Sequence, residues 1–155
     1  MTFFRLIIIS CFCISCSNNE LDIVILNGTL VDGSGKNRYE ADIGIINDRI
    51  VKIGDLSLLS SRRTIDASNL IVSPGFIDSH THARRGIFDV PTAESSLLQG
   101  VTTLTDGNDG SSPYPIDEHY EKIENTKISP NWAVFVGQGT IRQEVMGLDN
   151  RDPTA

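Results

Sequence analysis

Leu70-Ile71-Val72-Ser73-Pro74-Gly75-Phe76-Ile77-Asp78-Ser79-His80-Thr81-His82 runs from an apolar triplet through a Pro-Gly pair into two histidines two residues apart. In an extended segment the side chains at i and i+2 point to the same side. The spacing therefore carries both imidazoles toward one point, the geometry needed to hold a divalent metal ion. A bare His-x-His also occurs as two polar loop residues behind a turn, and the Pro-Gly-Phe-Ile-Asp context favours the metal reading over that one. Asp78 precedes His80 by two and shares its side; it is either a further ligand or a structural carboxylate bonded to backbone.

Working outward toward the C-terminus, Leu70 to Asp78 is expected to be the first strand of a parallel α/β arrangement. Thr92 to Gln99 predicts a short helix capped by Thr92 and stopped by Gly100. Val101 to Thr105 predicts a second strand, Pro115 to Lys127 a polar, partly helical stretch, and Trp132 to Val136 a third strand. Strands alternating with helical stretches point to a parallel sheet. Toward the N-terminus, Asp22 to Leu26, Thr29 to Val31, Asp42 to Ile46, Arg49 to Gly54 and Arg63 to Ala67 read as short strands. A hairpin turn is expected at Asn47-Asp48, and the set suggests a small β-sandwich.

Four stretches, taken in order, resemble the amidohydrolase superfamily and, within it, the N-acyl-D-amino-acid deacylase (D-aminoacylase) branch. They are the Pro74 to His82 segment, Gln99-Gly100-Val101-Thr102-Thr103, Gly107-Asn108-Asp109-Gly110-Ser111-Ser112-Pro113, and Val136-Gly137-Gln138-Gly139-Thr140-Ile141-Arg142. The resemblance covers the chain from Asp22 to Ala155. It implies an α/β fold: a TIM-like (β/α)8 barrel begun by residues 70–155 and preceded, over 22–69, by the N-terminal part of a β-sandwich. The active site would then lie at the C-terminal ends of the barrel strands.

The same resemblance makes His80 and His82 metal ligands. Such enzymes commonly carry a cysteine in a Gly-Asn-Cys-Gly loop, where this chain has Gly107-Asn108-Asp109-Gly110. Asp109 then either replaces the thiolate with a harder carboxylate or is plain turn chemistry at a site that has lost a ligand. Zinc, as one or two ions, is the metal expected for imidazole and carboxylate donors. Ser111 and Ser112 are candidates to contact a substrate carboxylate, and Arg142 to hold an anion in its fork. Gln138 stands where related sequences often have histidine, so it can hydrogen-bond there but not titrate. Arg84 and Arg85 follow His82 closely enough that one could face the cleft. His119, among Asp117, Glu118, Glu121 and Glu124, reads as part of a solvated polar face.

The activity implied is metal-dependent hydrolysis of a linear amide C–N bond, with a small N-acyl-D-amino acid as partner. A cyclic-amide hydrolase of the dihydroorotase or hydantoinase type and a non-catalytic, truncated surface lipoprotein are the alternatives. A complete barrel takes ~250 residues, so the 155 residues are expected to be the first part of a longer enzyme. Its general-base aspartate and remaining histidine ligands are expected beyond residue 155. Alone, these residues are expected to be inactive and, with an open strand edge, poorly soluble. The net charge of −7 argues against a nucleic-acid partner, which would require a basic face.

Residues 1–16 form a targeting segment. Arg5 is the only charge before Glu20, and the apolar core from Leu6 to Ile14 is shorter than the ~20 residues of a membrane span. Ile14-Ser15-Cys16 resembles a bacterial lipobox with Cys16 as the lipidated residue, followed by a polar tether over 17–21. A plain signal peptide cut nearby is the other reading. Either way the expectation is export, to the periplasm or to a membrane through the lipid anchor alone. The only three cysteines are Cys11, Cys13 and Cys16, so the exported domain offers no thiolate to a metal and no disulfide.

Overall fold

The computed structural model describes residues 20–154. The targeting segment over 1–16, Cys16 and most of the tether lie outside the described residues. The chain separates into two compact units after Ser73.

Among the described residues, the first unit is built from seven short strands. Four form one sheet in the order β5-β4-β1-β6: β1 Leu21–Leu26, β4 Asp42–Ile46, β5 Arg49–Gly54 and β6 Ser61–Asp66. The pair β1/β4 is antiparallel, with Ile23 opposite Ile45, and β1/β6 is parallel, with Ile25 opposite Ile65. Leu21, Val24 and Leu56 form the buried cluster, with Leu26 and Ile46 packed on it. The β4–β5 hairpin turns at Asn47, whose φ of 54° is one that asparagine tolerates, and Asp22 Oδ2 accepts the Asn47 N–H at 2.6 Å. The other three strands, β2 Thr29–Leu30, β3 Tyr39–Glu40 and β7 Ile71–Val72, form a small sheet in the order β3-β2-β7.

The second unit begins with β8 Phe76–Thr81. A single 3-10 turn over Ala83–Arg85 and the short helix α1 Glu94–Leu97 lead into β9 Val101–Asp106. Helix α2 Ile116–Thr126, strand β10 Asn131–Val134 and helix α3 Gln138–Met146 complete it. The three strands are parallel and ordered β10-β9-β8. Parallel neighbours need a crossover between them, and the α1 and α2 segments occupy those positions in the chain. Ile87, Leu104 and Ile123 are buried together, with Trp132, Phe88 and Val101 against them. In α2, Asp117 and Glu118 lie in the first turn, where a carboxylate complements the helix dipole.

Three details differ from the sequence expectation. The run from Leu70 to Asp78 is not one strand. Ile71 and Val72 pair with Thr29 and Leu30 inside the first unit, and the first strand of the parallel sheet starts only at Phe76. Pro74 has no N–H to give to a sheet, and a Cβ on Gly75 would collide with the Thr102 side chain, so the chain changes partners here. Thr92 does not cap α1: Ala93, at φ 45°, occupies that position without a side-chain cap. Gly100, at φ 82°, does end that segment, its N–H reaching Leu97 O. Residues after Val136 form a helix that the turn-rich motif did not announce.

Candidate metal centre

Sheet register fixes the site. Thr81, the last residue of β8, lies opposite Asp106, the last residue of β9. The segments leaving these two strands therefore emerge side by side at the C-terminal edge of the parallel sheet. His80 and His82 flank Thr81 on one segment, and Asp109 lies on the other. Their potential ligand atoms all fall within 4.8 Å of one another. His82 Nε2 is 3.4 Å from Asp109 Oδ2, and the two imidazole centroids are 5.8 Å apart at a tilt of 43°.

That spacing suits a metal. Two ligands on one tetrahedral zinc, each about 2.0–2.1 Å from it, stand about 3.3 Å apart. Two neutral imidazoles and a carboxylate are a donor set that zinc and other first-row divalent ions accept. All three residues are exposed, so an ion and a substrate can reach them. Among the described residues this is the one group of three or more such side chains that comes together.

Asp78 takes the structural role. Its Oδ1 accepts the His80 backbone N–H at 3.1 Å, and it is not part of the group. Asn108 Nδ2 donates to Ser79 O at 2.7 Å, and Thr81 Oγ1 donates to Thr105 O at 3.0 Å. The first bond ties the histidine segment to the Asp109 loop, and the second ties it to the end of β9 just ahead of that loop.

The glycine-rich loop is explained by packing. Gly110 O accepts the N–H groups of Gly139 and Thr140 at 2.7 and 3.3 Å, which closes the amino end of α3. Ser112 Oγ accepts the Gly137 N–H at 3.0 Å, while its own N–H donates to Thr140 Oγ1 at 2.9 Å. A Cβ on Gly137 or Gly139 would lie 2.7 or 2.8 Å from Gly110 O, and one on Gly107 would strike Phe135 O. Ser112 is thus a strut between loop and helix, and Ser111 Oγ accepts from Arg84 Nη2 at 2.8 Å.

Arg142 is not brought to the histidines and Asp109. Its guanidinium donates to Asp149 O at 2.6 Å and meets Met146 Sδ at 3.1 Å, on the far part of α3. Gln138 lies nearer the loop, lining with Gly107, Asn108, Gly110, Phe135, Val136 and Gly137 a cavity of about 380 Å³. His119 is not on a solvated face. It packs edge-on against Phe88 and tilted against Trp132, and burial, followed by the charges of Lys122 and Arg84, holds its pKa below the ordinary value.

Arg85 is exposed, but Arg84 is half-buried against Asp106, which is fully buried and which the sequence reading passed over. The one signal for it was a carboxylate ending the β-rich run Val101 to Thr105.

Residues 63–139 match the amidohydrolase family. The chain is 44% identical over 158 residues to the N-acyl-D-glutamate deacylase of Alcaligenes xylosoxydans xylosoxydans, covering 88% of this chain and 32% of that protein. It is 35% identical over 152 residues to the D-aminoacylase of the same organism, covering 83% of this chain and 31% of the relative. Among solved structures it matches the N-acyl-D-glutamate deacylase of Bordetella bronchiseptica, complexed with zinc and a phosphonate inhibitor, with a TM-score of 0.80. Identity there is 31%, covering 88% of this chain and 33% of that one. The chain thus spans about a third of the length of the curated relatives it matches.

Proposed function

The chain belongs to the amidohydrolase family, and on that footing we propose that His80, His82 and Asp109 belong to the metal site of a hydrolase that deacylates N-acyl-D-amino acids. The observation that carries the reading is the 3.4 Å approach of His82 Nε2 to Asp109 Oδ2 within a group whose ligand atoms lie within 4.8 Å. Zinc is the metal proposed, in one or two ions. The three parallel strands are proposed as the opening strands of a TIM-like barrel; their consecutive order and the position of all three side chains at C-terminal strand ends support this. The two sheets of the first unit are proposed as part of a β-sandwich.

A divalent ion there supplies Lewis acidity toward an amide carbonyl and toward water. The chain's own residues do the rest of what can be assigned. His80, in β8, and His82, the residue after that strand ends, present imidazole nitrogens toward Asp109, with the His80 backbone anchored by Asp78. Asp109 brings a negative charge that partly offsets that of the ion. The cavity between Asn108 and Gln138 adjoins Asp109 in the chain and is a place for the substrate's acyl or side-chain portion.

Release of free amino acid from N-acetyl-D-glutamate and from its L enantiomer, by the intact metal-loaded protein and by a His80→Ala/His82→Ala variant, tests the reading. Chelator-sensitive turnover of the D form that the variant lacks is expected. Turnover of neither enantiomer across a panel of N-acyl amino acids, or equal turnover of both, would overturn it.

A further inference from the structure

Of the ties between the histidine segment and the Asp109 loop, one is built from charge. Asp106 is fully buried, and Arg84 engages both of its carboxylate oxygens. The Arg84 backbone N–H donates to Oδ2 at 3.0 Å, and Nη1 donates to Oδ1. Nη2 reaches the other way, to Ser111 Oγ at 2.8 Å. Arg84 stands two residues after His82, while Asp106 and Ser111 bracket Asp109. The planar guanidinium thus spans the two segments that carry the three candidate ligands, which a lysine ammonium cannot do with the same fixed fork.

Stability alone is a poor account of this pair. Taking two charges out of water is costly, and a well-packed apolar pair of similar size is often no less stable. We propose that Arg84 and Asp106 are positioning residues, whose bridge to Ser111 sets the gap between the two histidines and Asp109 and thereby the affinity for a divalent cation. The proposal rests on the metal-site reading above. Neither residue touches the ion; each acts through the segment it holds.

The test uses the intact protein with cobalt(II) as probe, followed by its visible absorption, and thermal unfolding of the metal-free forms. Arg84→Met is expected to raise the cobalt Kd roughly ten- to a hundredfold, the range seen for groups that support metal ligands. Arg84→Lys, which keeps the charge opposite Asp106, is expected to recover part of that loss. Because Arg84→Met alone leaves Asp106 buried and unpaired, the decisive form is Arg84→Met/Asp106→Leu, which removes both charges. A double variant as heat-stable as the parent, yet weaker for cobalt by about tenfold or more, supports the bridge. Parental affinity in the folded double variant overturns it. Should the double variant not fold, Ser111→Ala decides, since it breaks only the outer bond: weakened cobalt binding supports the bridge and unchanged binding overturns it. A His80→Ala/His82→Ala variant separates the two readings. If it binds cobalt as the parent does, the metal site itself fails and the bridge with it. If it loses cobalt while the bridge variants do not, the site stands and the bridge alone falls.

Discussion

His82 Nε2 stands 3.4 Å from Asp109 Oδ2, although the two residues leave different strands. Neither segment could form the contact alone; the parallel register that sets Thr81 opposite Asp106 brings them together. A carboxylate that merely filled a turn would not need an imidazole at that distance. Asp109→Ala is therefore expected to weaken zinc binding by more than the roughly hundredfold upper range for groups that only support ligands. Metal titration by calorimetry checks it, and a change of under tenfold would return Asp109 to turn chemistry.

Donor hardness gives a second expectation. Carboxylate suits manganese and magnesium, whereas thiolate suits zinc. Asp109→Cys is expected to raise the preference for zinc over manganese relative to the parent. Competition between the two metals at equilibrium, read by elemental analysis of the protein fraction, measures the ratio directly. An unchanged ratio would mean that the side chain at 109 does not contact the ion.

The interlock of loop and helix predicts a stability effect away from the metal. A Cβ on Gly137 or Gly139 would press on Gly110 O at 2.7 or 2.8 Å. Overpacking of this kind costs about 1–3 kcal/mol. Gly137→Ala and Gly139→Ala are each expected to lower the urea midpoint accordingly. Gly86→Ala, whose Cβ would meet nothing within 4 Å, is the control expected to leave it nearly unchanged.

How much of this was legible in the sequence follows from how local each feature is. His80 and His82 could be read because the i, i+2 rule needs only their own strand, and the Asn108-Asp109-Gly110 turn advertised itself. Asp106 could not, because its meaning depends on Arg84, which the β8/β9 register supplies. The Leu70 to Val72 run looked continuous with β8 for the same reason: its partners, Thr29 and Leu30, lie far back in the chain. Arg142 carried the right chemistry in the right motif, yet the Asp149 carbonyl and Met146 fix its direction. His119 was judged by its acidic sequence neighbours, but a helix turns one side away from them, and that side meets Phe88 and Trp132.

Cys16, ahead of the described residues, carries an expectation of its own. If Ile14-Ser15-Cys16 is read as a lipobox, the wild-type protein expressed in a bacterial host partitions with membranes, and Cys16→Ala moves it to the soluble fraction or leaves it unprocessed. Fractionation together with the mass of the N-terminal peptide tests this. A wild-type N-terminus without lipid would establish the plain signal-peptide reading instead.

His119 sets the direction of a pH dependence. Its pKa in the folded protein lies below the ordinary 6.5, first because burial disfavours the imidazolium and then because Lys122 and Arg84 repel it. Between the folded pKa and about 6.5 the unfolded chain binds more protons than the folded one, so stability must rise with pH across that window. The contribution is intact above about 6.5 and is lost as pH falls toward the folded pKa. The metal-free protein is therefore expected to melt at lower temperature at pH 5.5 than at pH 7.5, buffer pH values chosen to lie about a unit either side of the unbound histidine pKa. His119→Phe keeps an aromatic ring against Phe88 and Trp132 but cannot take a proton, so it is expected to flatten that difference. Using the metal-free form keeps His80 and His82 from adding a ligand-release effect of their own. Equal pH slopes in parent and variant would assign the dependence to groups other than His119.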